Sequence, residues 1–129
     1  MKEKTLNNLM EAFAGESQAH KKYAAYAKKA AAEGKLNAAK LFQAASDAET
    51  QHAMKHFEVA GKIRSTEENL NDAITGENHE YQSMYPEFLK TANEEGEQDA
   101  IRTFTFAMKA EEVHAKLYAE ALADINQAE

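Results

Sequence analysis

Apolar residues recur every three or four positions along the first half of the chain, which is the spacing of one face of an α-helix. They fill two stretches, at about 5–33 and 36–60, and each stretch is followed by a glycine, Gly34 and Gly61. Glycine adopts the left-handed conformation that ends many helices. The first half of the chain is therefore predicted to form a helical hairpin.

The second half repeats this pattern. Ser65 and Glu68 have the spacing of a capping box, so a third helix is predicted over about 66–95. Gly96 ends it, and a fourth apolar-periodic stretch continues to about 126. Because the chain has only one proline and five glycines, the pattern predicts an all-α protein. Its 129 residues suit a single domain, 1–129, built from hairpins at about 5–60 and 66–126.

The two halves also resemble each other residue by residue. A shift of 61 residues aligns their beginnings, and after one inserted residue the shift becomes 62. The aligned pairs include Gly15 with Gly76, Glu16 with Glu77, Glu49 with Glu111 and His52 with His114. The repeat therefore preserves acidic residues and histidines, and it predicts a site with pseudo-twofold symmetry.

The chemistry of that site follows from the motif Glu-x-x-His at 49–52 and 111–114. Residues three apart lie on one face of a helix, so each motif directs a carboxylate and an imidazole to the same place. Two such motifs, with one glutamate from each of two other helices, are the ligand set of di-iron and di-manganese carboxylate bundles. Glu16 and Glu77 are the candidates for the two further glutamates.

A single Glu-x-x-His more often lies on a solvated helix face, and a chain with 22 acidic residues forms some by accident. These glutamates, however, share a helix face with Ala, Phe, Leu and Met that should point to the core. Ionised carboxylates there would each cost several kcal/mol without a partner. A pair of metal ions removes that cost, so a dinuclear metal site is the favoured interpretation.

Composition excludes several other classes of protein. A net charge of −7 argues against binding nucleic acid or an anionic membrane surface. No apolar run is long enough to cross a bilayer, and no signal-type segment begins the chain. The absence of cysteine excludes disulfides, thiolate zinc sites and iron–sulfur centres. A soluble cytoplasmic protein is expected.

Two short segments carry a resemblance to a known family. They are Gly-Glu-Asn-His-Glu-Tyr at 76–81 and Met-Tyr-Pro at 84–86. With them, nearly the whole chain resembles the ferritin-like domain of the rubrerythrin family. The resemblance implies a ferritin-like four-helix bundle with a di-iron centre, in which manganese or a mixed Fe/Mn pair is also possible.

The resemblance further implies a set of metal ligands, namely Glu16, Glu49, His52, Glu77, Glu80, Glu111 and His114. Glu49 and Glu111 would bridge the two metals, and Glu16 and Glu77 would each bind one of them. His114 would bind the metal that Glu77 holds. Glu80 and His52 would alternate at the other metal.

That alternation also has a physical reason. Oxidation adds positive charge and favours the anionic Glu80, whereas reduction makes the neutral imidazole of His52 competitive. The position equivalent to Glu80 in the first half is Ala19, so only one metal has this option. Pro86 lies within two turns of Glu80 and predicts a kink there, because proline cannot donate a helix hydrogen bond.

Two tyrosines complete the candidate catalytic set of Glu80, His52, Tyr23 and Tyr85. Tyr23 and Tyr85 match tyrosines that lie just outside the metal ligands in the family. An ordinary role as amphipathic core aromatics explains them equally well from sequence alone.

The function that the resemblance implies is reduction of hydrogen peroxide to water in oxidative-stress defence. A reduced di-iron pair holds two adjacent electrons, which cleavage of the O–O bond requires. Rubrerythrins usually carry a C-terminal rubredoxin domain with four cysteines, whereas this chain ends at Glu129 with none. An external donor, such as a rubredoxin or a small reductant, is therefore expected. The alternatives are ferritin-like iron oxidation by oxygen, manganese catalase-like disproportionation and a non-catalytic helical module.

Helix lengths predict how the chain assembles. A ferritin-like site needs a crossover that climbs roughly 33 Å between the second and third helices, at ~1.5 Å per residue. The link of about six residues reaches only ~20 Å. A dimer that exchanges hairpins resolves this, with Glu16, Glu49 and His52 from one subunit and the other ligands from its partner.

Three further histidines were assigned by helical position. His20 follows Glu16 by one turn and suits an ordinary helix face, or a place just outside the ligands. His79 points away from the ligands and should face solvent. His56 lies one turn beyond His52 and could line the entrance of the site.

Overall fold

The computed structural model describes residues 1–128, with the side chains of residues 1–125. The elements, in chain order, are α1 (Glu3–Ala32), α2 (Leu36–Val59), α3 (Thr66–His79), a π-helical turn (Glu80–Met84), α4 (Tyr85–Glu95) and α5 (Gln98–Ala128). No strand occurs in this described part. The all-α prediction is confirmed, because α3, the π turn and α4 together occupy the third predicted helix. The predicted domain ends at Glu129, which lies outside the described residues.

The predicted helix ends are also confirmed. Gly34, Gly61 and Gly96 have φ angles of 74°, 75° and 69°. A left-handed residue at the end of a helix lets the next amides return to the last free carbonyls, which is seen where Lys35 N donates to Ala30 O at 2.9 Å. The start of α3 follows its prediction too, since the Ser65 hydroxyl accepts from Glu68 N at 3.1 Å.

The chain divides into two compact units, called here the first unit (Met1–Ile63) and the second unit (from Arg64 onward). In the first unit, α1 packs along α2 as an antiparallel pair. In the second unit, α5 packs against α3, the π turn and α4. The division falls in the link between the two predicted hairpins.

Helix packing within each unit depends on small residues. Among the residues whose side chains are described, the buried apolar ones are all alanine: Ala27, Ala30, Ala53, Ala92 and Ala115. Alanine at the contact lets two helix axes approach closely. The larger apolar side chains of the same part of the chain keep some exposed surface, so each hairpin retains apolar area outside its own core.

The third helical stretch contains an irregularity. Tyr85 N donates to Glu80 O, a bond that spans five residues and defines the π turn. Such a turn accommodates one extra residue in an α-helix, and the repeat places one inserted residue between Glu77 and Tyr85. The interruption predicted at Pro86 therefore takes the form of a π turn immediately before it.

No helix in the described part of the chain is long and apolar enough to cross a membrane.

Candidate metal centre

The first unit brings together three of the predicted ligands. Glu16 lies on α1, and Glu49 and His52 lie one turn apart on α2. Each offers one donor atom, and these atoms all lie within 4.8 Å of one another. His52 Nδ1 is 3.7 Å from Glu16 Oε1. The hairpin creates this group because the Glu-x-x-His face of α2 packs against the face of α1 that carries Glu16.

The second unit contains the equivalent group. Glu77 lies on α3, and Glu111 and His114 lie one turn apart on α5, again with donor atoms within 4.8 Å of one another. His114 Nδ1 is 3.5 Å from Glu77 Oε1 and 3.8 Å from Glu111 Oε2. The internal repeat is therefore visible as two ligand groups of the same composition and similar geometry.

The chemistry of these groups fits a metal ion. Donors bound to one ion at ~2.0–2.2 Å lie at most ~4.4 Å apart, so small side-chain adjustments suffice to close each group around a cation. The outer oxygen Glu77 Oε2 is enclosed and has no hydrogen-bond partner, whereas the enclosed Glu16 Oε2 has His56 Nε2 at 2.6 Å without an aligned hydrogen bond. An enclosed carboxylate oxygen without a partner is costly, and a bound cation offsets that cost. Carboxylates with one imidazole suit iron, manganese or zinc.

The seventh predicted ligand lies apart from these groups. Glu80 is half-buried at the start of the π turn and belongs to neither group among the described residues. Turns of this kind widen the helix locally and recur at functional sites. Its neighbour His79 is exposed, as its helical phase predicts.

The two predicted tyrosines lie in equivalent aromatic clusters. The Tyr23 ring lies 6.3 Å from Phe42 and 6.2 Å from Tyr26 between ring centroids. The Tyr85 ring lies 6.0 Å from Phe104 and 6.1 Å from Phe88. The clusters repeat because the shift of 62 carries each member of the first onto a member of the second. Packing is thus one role of both tyrosines.

His20 takes part in a polar cluster that the sequence did not reveal. Ser46 is fully buried, and its hydroxyl donates to His20 O at 2.8 Å. Thr50 Oγ1 donates to Ser46 O at 3.2 Å and lies 2.7 Å from His20 Nδ1. Both hydroxyl protons are then committed, so Nδ1 carries a proton and donates. The cluster joins α1 to α2 one turn from the ligands.

The repeat explains why this cluster was missed. Ser46 and Thr50 correspond to Met108 and Glu112 in the second unit, so the comparison of the two halves gave no signal for it. His56 was also assigned only loosely. Its Nε2 lies 2.6 Å from Glu16 Oε2, which places it directly behind a predicted ligand.

Comparison with known proteins identifies the family of this chain. A family model described as Rubrerythrin matches residues 7–122. The chain belongs to the rubrerythrin family. It is 37% identical to Rubrerythrin-2 of Clostridium acetobutylicum over 131 residues, which covers 91% of this chain and 71% of that protein.

A second relative has a solved structure that also matches this chain. Nigerythrin of Nitratidesulfovibrio vulgaris is 38% identical over 136 residues, which covers 95% of this chain and 67% of that protein. The structure of fully reduced, all-ferrous nigerythrin matches with a TM-score of 0.50 over 95% of this chain and 67% of that chain. The ferritin-like helical fold expected from the sequence agrees with these matches.

Proposed function

We propose that this chain is a non-haem di-iron peroxidase that reduces hydrogen peroxide to water with electrons from an external donor. The observation that carries the proposal is the pair of Glu, Glu and His groups, one in each unit. Membership of the rubrerythrin family supports it, and a solved structure of nigerythrin in the all-ferrous state supports iron as the metal.

In this proposal the two groups supply most of the ligands of one dinuclear centre. Glu49 and Glu111 would each contact both metals, and Glu16 and Glu77 would each hold one of them. His114 would hold the same metal as Glu77. When bound and reduced, the iron pair supplies the two electrons that convert H2O2 and two protons to two molecules of water.

Glu80 and His52 are the residues proposed to move during turnover. The anionic Glu80 binds when the centre is oxidised and more positive, and the neutral His52 binds when it is reduced. The position of Glu80 supports this mobility, because Glu80 begins the π turn, where the regular pattern of helix hydrogen bonds is interrupted.

The external donor follows from the chemistry of the residues in this chain. None of the 129 residues is cysteine, so they provide no thiolate ligands for an iron–sulfur or rubredoxin-type donor. A separate rubredoxin or a small reductant is the proposed source of electrons.

We also propose that the complete domain, residues 1–129, forms in a dimer that exchanges hairpins. The structure of each unit supports this. Leu41 and Val59 are 71% and 47% exposed, and they share one side of α2 with His52, at three turns and two turns from it. On α5, one side carries Phe106, Val113 and Leu117, exposed by 79%, 54% and 54%. A second hairpin would cover these apolar side chains next to the half-exposed histidines.

Helix lengths argue that the second hairpin comes from another chain. α2 ends at Val59 and α3 begins at Thr66, so only residues 60–65 connect them. At ~3.3–3.6 Å per residue this link falls well short of the roughly 33 Å that a crossover within one chain needs. A monomeric mass at micromolar concentration, with both metals bound, would refute the exchange.

The activity is tested by rapid mixing of the reduced, iron-loaded protein with hydrogen peroxide or with oxygen. Fast oxidation by peroxide and slow oxidation by oxygen are expected. Faster oxidation by oxygen would indicate iron oxidation as in ferritins instead. Oxygen evolution from peroxide would indicate a catalase, for which the manganese-loaded protein is the matched sample. A Glu49→Ala, Glu111→Ala protein, which lacks the two proposed bridges, serves as the inactive control.

A further inference from the structure

The carboxylate of Glu16 lies between two histidines. His52 Nδ1 is 3.7 Å from Oε1, and His56 Nε2 is 2.6 Å from Oε2. The two histidines are one helical turn apart on α2, so both rings face the same part of α1. Each oxygen of Glu16 therefore has its own imidazole.

His56 differs from His52 in its relation to the other ligands. The ligand group of the first unit consists of Glu16, Glu49 and His52, and His56 is not part of it among the described residues. His56 approaches only the outer oxygen of Glu16, which is enclosed. This contact is short but not aligned as a hydrogen bond, since Glu16 Oε2 has no hydrogen-bond partner. The 2.6 Å separation is within hydrogen-bonding distance, so a bond between them requires only that the Nε2–H group point at Oε2.

The second unit provides a natural comparison. Glu77 Oε2 is also enclosed and without a hydrogen-bond partner. The shift of 62 that aligns His52 with His114 places Tyr118 at the position of His56. The Tyr118 ring lies 6.4 Å from the His114 ring, and no hydrogen bond from Tyr118 to Glu77 occurs in the described part of the chain. Among the residues whose side chains are described, an imidazole thus lies behind Glu16 in the first unit but not behind Glu77 in the second.

We propose that His56 is a positioning residue that makes the two metal sites unequal. Its Nε2–H donates to Glu16 Oε2 and commits that oxygen, so Glu16 binds metal through Oε1 alone. Glu77 has no such donor and can use both oxygens. Donors behind a ligand fix its orientation and raise its affinity. The neutral Nε2–H tautomer is sufficient, so no change of protonation is needed.

The consequence concerns the metal at which Glu80 and His52 are proposed to alternate. A glutamate restricted to one oxygen leaves a coordination position open at that metal, and the exchange of ligands requires such a position. This inference rests on the proposed dinuclear centre. The two ligand groups have the same composition, and His56 is the residue that makes the metals they hold unequal.

The test measures metal binding rather than activity. Full-length protein is titrated anaerobically with Co²⁺ alone, and the two binding steps are followed by calorimetry and by the Co²⁺ absorption bands. His56→Leu removes the donor, His56→Gln keeps an N–H donor, and Tyr118→Phe is the matched change in the second unit. Circular dichroism of each variant confirms that it is folded.

The expected result is a selective loss. His56→Leu weakens one of the two binding steps by ~10–100-fold and leaves the other unchanged, as removal of a donor behind a ligand does. His56→Gln retains most of the affinity, and Tyr118→Phe retains both steps. Unchanged binding in a folded His56→Leu protein, or equal weakening of both steps, would overturn the role of His56.

Three further outcomes separate this inference from the proposals it rests on. Electron spin-echo spectroscopy of the mixed-valent iron protein detects coordinated nitrogens, and these should come from His52 or His114 but not from His56. Loss of a coordinated-nitrogen signal in His56→Gln would make His56 a ligand and overturn the positioning role. Wild-type protein that shows neither Co²⁺ binding step would overturn the dinuclear centre itself. If His56→Leu weakens one binding step selectively but the wild type does not reduce peroxide, only the proposed activity is overturned.

Discussion

At the scale of single residues, the ligand groups combine acidic side chains with an enclosed position. The side chain of Glu77 is only 17% exposed, and its outer oxygen has no hydrogen-bond partner. Glu77, which is proposed to bind metal, should therefore destabilise the metal-free protein, because an ionised carboxylate loses hydration there. Function and stability make opposite demands at this position.

We predict that Glu77→Met stabilises the metal-free protein by about 1–2 kcal/mol, since it replaces an enclosed charged side chain with an apolar one of similar volume. The same change should remove the rise in melting temperature that metal gives the wild type, because binding stabilises only the folded state. Urea unfolding with a chelator and thermal melts with Co²⁺ measure the two effects. Glu94→Met, at an exposed position, is the control and should change neither. Lower stability of metal-free Glu77→Met would contradict the argument.

The polar cluster around Ser46 makes the opposite kind of contribution. Ser46 is fully buried with its hydroxyl bonded to His20 O, so Ser46→Ala should cost about 1–2 kcal/mol of unfolding free energy. Urea unfolding measures this loss. Thr103→Ala, which removes an exposed hydroxyl on α5, should cost nothing. Equal stability of Ser46→Ala and wild type would show that the cluster does not hold α1 to α2.

At the scale of elements, the π turn is the feature that distinguishes the two repeats. Tyr23 lies seven positions after Glu16, whereas Tyr85 lies eight positions after Glu77. The turn absorbs the additional residue, so the aromatic clusters and the ligand groups keep equivalent positions on both sides of it. The insertion thus changes the surroundings of Glu80 without changing the packing of the helices that flank it.

Deletion of Ser83 should therefore convert α3, the π turn and α4 into one continuous α-helix. The protein is expected to fold and to bind both metals, because the flanking residues regain the spacing of the first repeat. Oxidation of the reduced iron protein by peroxide should slow by roughly 10–100-fold, as expected when a reacting group is displaced by about 1 Å.

Rapid mixing gives that rate, and full-length Glu80→Ala should show a similar loss. Deletion of Thr91, which lies in the regular helix α4, is the control and should disturb folding instead. An unchanged peroxide rate after deletion of Ser83 would show that the turn has no part in the reaction.

At the scale of the whole molecule, the short link between α2 and α3 determines the proposed exchange. Lengthening it after Lys62 by about eight Gly/Ser residues would let it span roughly 33 Å, and both hairpins of a chain could then meet in one bundle. We predict that this variant becomes monomeric and still binds two metal ions. Analytical ultracentrifugation with metal analysis measures both properties. Insertion of eight residues at the other hairpin connection, after Gly34, is the control and should leave the dimer intact. A lengthened link that still gives dimers would contradict the length argument.

Much of the local structure was determined by the sequence alone. The helix ends at Gly34, Gly61 and Gly96, and the cap at Ser65, depend on the conformational preferences of residues a few positions apart, and all agree with the structure. Six of the seven proposed ligands fall into two groups because helical periodicity and the internal repeat are both properties of sequence spacing.

The tertiary structure decided what depends on contacts between distant residues. Only the packing of α1 on α2 brings His20 to Ser46 and His56 to Glu16, which are 26 and 40 positions apart along the chain. The form of the irregularity before Pro86 was decided there too, since a proline is compatible with a kink as well as with a π turn. Sequence spacing determines which residues share a helix face, whereas the partner that each face meets is set by packing.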